Sequence, residues 1–157
     1  MAIRLYFDTN VLCRPFDDQT GVRVRRETEA FGRILDKISN HEAVYFISDI
    51  LMFEIRRIIS PVKRAKVFAY LDLSQGFHAA SEQTLAVADE IVRQFKLKPR
   101  DAFHAASAVM GEAQYFLTCD DAVTKGFRRK PLSLVVASDV RSLEVMNPEG
   151  FVAKMRW

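Results

Sequence analysis

Four acidic residues stand where a carboxylate is either costly or conspicuously placed: Asp8, Glu54, Asp101 and Asp120. Asp8 ends the apolar run Ile3–Phe7, and Asp120 follows the run Tyr115–Leu117 with Asp121 beside it. Asp101 falls in the first turn of an Ala-rich helical stretch. Glu54 lies among Leu51, Met52, Phe53 and Ile55, with Ile50 and Ile58 at i−4 and i+4. A Glu on an apolar helix stripe, with no Lys or Arg at i±4, needs a distant partner, a proton or a metal. Taken singly, Asp101 reads as a helix-dipole residue and Asp8 or Asp120 as turn formers. Gathered at strand ends, the four make an oxygen donor set suited to Mg²⁺ or Mn²⁺. Such ions stabilise in-line phosphoryl displacement and acidify a bound water. Zinc fits poorly, because His41, His78 and His104 lack ligand spacing and Cys13 and Cys119 are isolated. His104 stands three residues after Asp101, so the two can share a helix face. From there it can bond a site carboxylate, although a packed polar residue is its commoner role.

The elements that must position these acids follow from the apolar pattern. Residues 3–7 are too short for a helix and rich in β-formers, which predicts a buried strand. Residues 14–21 carry turn types and read as a loop. Over residues 22–38, Phe31, Ile34, Leu35 and Ile38 recur on one helical face. Residues 43–47 form a second strand candidate. Ser48 then reads as the N-cap of a helix carrying Leu51, Glu54, Ile55 and Ile58. Pro61 opens the next helix, with Val67, Tyr70 and Leu71 inward. Ser81 opens another, to about residue 95, with Leu85, Ala88, Ile91, Val92 and Phe95 periodic. Pro99 opens the Ala-rich helix, to about residue 111. Residues 115–117, 134–136 and 143–146 read as strands. Short apolar strands alternating with helices predict an α/β layer fold with a mainly parallel sheet, whose sites lie at the carboxyl ends of strands.

The ordered set Asp8-Thr9-Asn10, Ser48 to Glu54, Pro99-Arg100-Asp101-Ala102-Phe103-His104-Ala105-Ala106-Ser107-Ala108 and Thr118-Cys119-Asp120 resembles the PIN-domain family, which includes the VapC-like toxin ribonucleases. The resemblance runs from Ile3 to about Gly150. It implies one PIN-like α/β/α sandwich over residues 1–157 with a central, mainly parallel sheet. It implies further an endoribonuclease that uses Mg²⁺ or Mn²⁺ and leaves 5′-phosphate and 3′-hydroxyl ends. Carried over by position, Asp8, Glu54, Asp101 and Asp120 are the catalytic and metal-binding acids, and Asn10 and Thr118 are the polar residues that orient them. Asp121 is the rival for the fourth place; the T-x-D spacing favours Asp120. An antitoxin partner and a homodimer are implied as well. The stretch from Cys13 to Gly21 departs from a minimal member of the family by its length and its turn residues.

Basic residues adjoin three of the four acids: Arg56, Arg57, Lys63, Arg64 and Lys66 after Glu54; Lys96, Lys98 and Arg100 before Asp101; and Lys125, Arg128, Arg129 and Lys130 after Asp120. Arg128, Arg129 and Lys130 are the candidate RNA contacts, since cations there would hold phosphates against a negative site. Phe127 could stack a base, but packing is the ordinary use of such a residue. The 157-residue chain has 23 Lys and Arg against 20 Asp and Glu, a formal charge of +3, which permits a nucleic-acid partner without requiring one. With 49% hydrophobic and 27% charged residues, a disordered or collagen-like chain is excluded. Two cysteines without a CxxC pair argue for a reducing compartment. No apolar run approaches the ~20 residues of a membrane span, and Asp8 breaks any signal-peptide core, so a cytoplasmic protein is expected. Two other classes compete. One is a PIN-fold RNA- or protein-binding module with weak or no catalysis. The other is a receiver or haloacid-dehalogenase type of phosphoryl-transfer domain, disfavoured because Asn10 stands where the second acid would be needed and the order of the acids does not fit.

Overall fold

The computed structural model describes residues 1–128 and 130–157. Five strands form one sheet: β1 (Ile3–Phe7), β2 (Ala43–Tyr45), β5 (Tyr115–Leu117), β6 (Leu132–Val136) and β7 (Asp139–Met146), in the order β2-β1-β5-β7-β6. The first four neighbours run parallel; only β6 is antiparallel, paired to β7 in a hairpin. Two short strands, β3 (Ile47–Ser48) and β4 (Phe77–His78), pair in parallel beside it. The helices are α1 (Thr9–Cys13), α2 (Val22–Ser39), α3 (Asp49–Arg56), α4 (Pro61–Tyr70), α5 (Glu82–Phe95), α6 (Pro99–Met110), α7 (Asp121–Arg128) and α8 (Pro148–Met155).

The period-two alternation of the strands divides the interior into two cores. On β1, Leu5 and Phe7 enter one core and Tyr6 the other; on β5, Leu117 enters the first and Phe116 the second. The first core takes Phe31, Ile34 and Ile38 of α2, Leu51 and Ile55 of α3, Val67 of α4 and Phe151 of α8. The second takes Ala88 and Ile91 of α5, Ala102, Ala105, Ala106 and Val109 of α6, and Val123 and Phe127 of α7. A mainly parallel sheet with both faces covered is the α/β/α sandwich expected of these strands. The Ala-rich face of α6 permits close approach to its neighbours. At its end, a Cβ on Gly111 would come within 2.3 Å of the Phe46 ring, so only glycine fits there.

Local signals explain the helix starts. Ser48 accepts a hydrogen bond from Leu51 N–H at the start of α3, and Ser81 and Thr84 form a capping box on α5. Pro61 and Pro99 occupy first turns. Three expectations are corrected. Leu85, placed on the inner face of α5, is 49% exposed, and the buried residue of that turn is Thr84, whose hydroxyl lies 2.9 Å from His78 Nε2. Residues 43–47 divide into β2 and β3, with Phe46 N–H turned to Leu5 C=O between them. The loop after α1 contains a single 3₁₀ turn, Arg14–Phe16. Among the described residues, no helix is long and apolar enough to cross a membrane.

Candidate metal-binding site

The site forms at the carboxyl ends of β1 and β5. The sheet ladder continues past both strands: Asp8 N–H donates to Leu117 C=O (2.9 Å) and Thr118 N–H to Met146 C=O (3.0 Å). Both side chains therefore project from rigid backbone at the sheet edge. Asp8 precedes α1, yet its carboxylate makes no capping bond and remains directed at the site. Thr118 Oγ1 donates to Asp8 Oδ2 (2.8 Å), and Asn10 Nδ2 donates to the same oxygen (3.2 Å). Asn10 is fixed in turn by Cys119 N–H, which donates to its Oδ1 (3.0 Å). These bonds leave Asp8 Oδ1 without a donor among the described residues.

Glu54 enters from the second turn of α3. Thr9 Oγ1 donates to its Oε1 (2.7 Å), the imidazole of His104 meets the same oxygen through Nε2, and Arg100 lies 3.6 Å from Oε2. Burial alone would raise the carboxyl pKa; the bond and charge of His104, the Thr9 bond and Arg100 outweigh it and hold the pKa below the ordinary value. The distant partner that Glu54 required is thus a histidine. His104 is 1% exposed on α6, 3.8 Å from Asp8 Oδ1, with Nδ1 2.8 Å from the Tyr6 hydroxyl, itself 2.6 Å from Ser48 Oγ. Burial depresses the imidazole pKa, but Glu54, Asp8 and Asp101 overcome it, and the net shift is upward.

Asp101 accepts no hydrogen bond among the described residues. Its pKa is raised first by burial and then by the charges of Asp8 and Asp120. Those couplings bring Asp101 and Asp120 into the same field as Asp8 and Glu54. Asp120 is held at two points: its carboxylate Oδ1 caps α7 by accepting Ala122 N–H (2.9 Å), and its backbone N–H donates to Thr118 Oγ1 (3.1 Å). Asp121 does not join the cluster. Both of its oxygens take the Arg23 guanidinium at 2.8 Å, on the surface.

The donor set fits a divalent cation. Asp8, Glu54 and His104 each offer one ligand atom, all within 4.8 Å of one another. Two carboxylates with a third, unbonded one nearby suit a hard ion, and the imidazole adds a nitrogen that borderline ions accept.

The basic residues separate. Arg100 lies over Phe53 at 5.8 Å while reaching Glu54. Arg128 lines a cavity of about 630 Å³ bounded by α2, α7 and the β7–α8 junction. Lys130 turns away from it, donating to Gln94 Oε1 (3.3 Å) and lying 5.8 Å above the Phe95 ring. Arg129 lies outside the described residues. Phe127 is buried against Phe95, with ring centroids 4.5 Å apart, so it stacks no base. Cys13 and Cys119 are both free thiols.

The sequence reading missed the buried Glu27, which is 1% exposed. Arg14 Nε (3.0 Å), Arg23 Nε (3.4 Å) and Asn147 Nδ2 surround its carboxylate. The signal was present: Glu27 stands at i−4 from Phe31 and i−7 from Ile34, on the apolar stripe of α2.

With this geometry established, the comparisons with known proteins are consistent. The PIN domain model matches residues 5–130, and the chain belongs to the PIN-domain family. Its fold is that of three solved structures. A toxin–antitoxin complex from Klebsiella pneumoniae aligns with a TM-score of 0.57 and 21% identity, over 82% of this chain and 92% of that one. VapBC2 from Rickettsia felis, bound to a DNA fragment from its promoter, gives 0.61 and 13%, over 92% and 98%. DNA-bound VapBC from Salmonella typhimurium gives 0.52 and 14%, over 94% and 99%. No curated protein matches the chain at a significant level.

Proposed function

We propose that this chain is a metal-dependent endoribonuclease of one PIN-like domain, cleaving single-stranded RNA in the cytoplasm. The observation that carries the reading is the convergence of Asp8, Glu54 and His104 ligand atoms within 4.8 Å at the carboxyl ends of β1 and β5, with Asp101 and Asp120 in the same field. Asp8, Glu54, Asp101 and Asp120 are the acids that would hold Mg²⁺ or Mn²⁺. The bound ion would neutralise phosphate charge and acidify a water for attack.

The remaining residues prepare the site. Thr118 and Asn10 fix Asp8 in one rotamer, and His104 and Thr9 fix Glu54. Such preorganisation removes a reorganisation cost from the chemical step. Arg100, 57% exposed at the mouth and 3.6 Å from Glu54, brings a cation to the point where a phosphodiester must approach four acids. The structural relatives are toxin–antitoxin complexes, which supports a role as the toxin of such a pair, with an antitoxin partner; a homodimeric assembly is proposed with it from the family resemblance alone.

The test is incubation of the purified chain with labelled single-stranded RNA, with Mg²⁺ or Mn²⁺ and then with EDTA. Metal-dependent cleavage leaving 5′-phosphate and 3′-hydroxyl ends is expected, abolished in Asp8→Asn and Asp101→Asn. Cleavage that survives EDTA and leaves a 2′,3′-cyclic phosphate overturns the mechanism. Metal binding without cleavage favours a binding module on the same fold.

A further inference from the structure

We infer that the groove between α2 and α8, with α7 at its mouth, is a track that carries single-stranded RNA away from the carboxylate site; this rests on the nuclease reading above. The groove consists of two neighbouring cavities of about 630 and 440 Å³ that share Arg26 and Glu149 as wall residues. The first opens at the carboxyl end of β7, beside Asp121, and its wall residue Arg23 donates to the Cys119 C=O, one residue before the site acid Asp120. The second continues along α2 to Arg33, Arg156 and Trp157.

The guanidiniums divide by function. Arg23 is a structural wall, held by Asp121, Glu27 and the Cys119 C=O. Arg33 donates to the Trp157 C=O (3.2 Å). Arg26, Arg128 and Arg156 have neither ion pair nor side-chain hydrogen bond among the described residues, and all three are exposed on the groove walls. Unpaired guanidiniums along a concave path are suited to phosphates, which they can meet bidentately. Arg26 and Arg33 are seven residues apart, about 10 Å along α2 at its helical rise. That length accommodates more than one nucleotide of extended backbone.

Four carboxylates also line the groove: Glu27 and Asp121 are paired with Arg23, while Glu29 and Glu149 have no ion pair among the described residues, and Glu149, shared by both cavities, distinguishes the track from a uniform anion-binding surface. A carboxylate between arginines repels a phosphate but accepts a hydrogen bond from a ribose 2′-hydroxyl, the group that separates RNA from DNA. The groove therefore favours RNA, its phosphates on the arginines and its sugar edge on Glu149.

The experiment measures binding of a fluorescent single-stranded dodecaribonucleotide across a salt series. It uses the full chain carrying Asp8→Asn, with and without Arg26→Ala plus Arg156→Ala. Each lost phosphate contact should reduce the log–log salt slope by about 0.7, so the double substitution should reduce it by about 1.4. Arg93→Ala, which removes one charge from an exposed position on α5 outside the groove, should leave the slope unchanged. In the wild-type background, the same double substitution should slow cleavage of the dodecamer and spare a trinucleotide too short to enter the track. An unchanged slope overturns the track, whether or not cleavage occurs. Equal affinity and equal response for the matching DNA strand overturn the assignment to RNA. Absence of metal-dependent cleavage of even the trinucleotide by wild-type protein counts against the nuclease reading alone, because the salt slope is read without catalysis.

Discussion

Glu54 and His104 meet across the α3–α6 interface, carboxylate Oε1 against imidazole Nε2, with Tyr6 and Ser48 completing a buried chain behind the ring. Each partner is the other's reason for tolerating burial. Removing one partner of a buried pair leaves the other uncompensated and costs on the order of 3–5 kcal/mol. Because Glu54 keeps 17% exposure, His104→Ala should fall at the low end, about 3 kcal/mol. His104→Gln, whose amide can still donate to Glu54, should lose less. Denaturant midpoints of the two variants measure the difference. An alanine variant as stable as wild type would show that the pair contributes nothing.

The same pair sets a pH dependence in metal-free protein. The Glu54 pKa is lowered on folding, so its contribution is present above the unfolded carboxyl value of about 4.3 and is lost as pH falls through the folded value. The His104 pKa is raised, so its contribution is complete below about 6.5 and is lost as pH rises through the folded value. Asp101, raised by burial and then by Asp8 and Asp120, adds in the same direction as His104, because its contribution also disappears as pH rises. His78, whose pKa burial lowers, acts in the opposite sense over the same range, so the test is the difference: in EDTA the melting temperature of wild type relative to His104→Gln should fall as pH rises from about 5.5 to 8. A wild-type melting temperature that climbs relative to His104→Gln over this range contradicts the direction assigned to His104.

Asp101 separates the cost of the site from its use. Its carboxylate accepts no hydrogen bond among the described residues and is repelled by Asp8 and Asp120 more than it is drawn to His104, so Asp101→Asn removes net repulsion without breaking a hydrogen bond. The metal-free variant should be as stable as wild type or more so. Wild type should gain stability with Mn²⁺ or Mg²⁺, by about 2.7 kcal/mol at a hundredfold excess over the dissociation constant, and Asp101→Asn should lose that gain. Paired thermal melts with and without metal check both halves. A metal-free variant melting well below wild type would make Asp101 a structural residue.

Much of this arrangement was legible in the sequence because local chemistry and tertiary position agree. The strands at residues 3–7 and 115–117, the Ser48 cap and the proline-opened helices follow from apolar runs and capping residues alone, and so does the placement of Asp8 and Asp120 just beyond strand ends. What escaped has identifiable causes. The β6–β7 hairpin turns on Ala137 and Ser138 at φ 49° and 73°, where glycine or asparagine would have announced it. The two-residue β4 is too short to show alternation. Helix α7 is hidden because its cap, Asp120, is equally suited by position to be a site acid. Arg23, which occupies Asp121, lies 98 residues away in sequence, and only the fold brings them together.

Glu27 supports the most consequential structural prediction. It lies within an unbroken series of alternating charges: Lys63–Asp17 (2.9 Å), Asp17–Arg14 (3.0 Å), Arg14–Glu27 (3.0 Å), Glu27–Arg23 (3.4 Å) and Arg23–Asp121 (2.8 Å). The series connects α4, the 3₁₀ turn, α2 and α7, and Asn147 joins it from the end of β7. The outer pairs are partly solvated and worth little individually. Glu27 is the buried member, so its removal should dominate. Glu27→Ala leaves Arg14 Nε and Asn147 Nδ2 without an acceptor, but Arg14, 22% exposed, keeps Asp17 and Arg23 keeps Asp121, so the cost should fall at the low end for a broken buried pair, about 3 kcal/mol. Glu27→Gln keeps an oxygen acceptor and loses the charge, for about 1–2 kcal/mol. The site acids are oriented by Thr118, Asn10, Thr9 and His104, none of which touches Glu27. Calorimetric titration of Glu27→Gln with Mn²⁺ should therefore give a near-wild-type affinity while its unfolding midpoint falls. A large loss of metal affinity in a folded Glu27→Gln would mean that the charge series, and not the polar bonds at the strand ends, sets the geometry of the carboxylates.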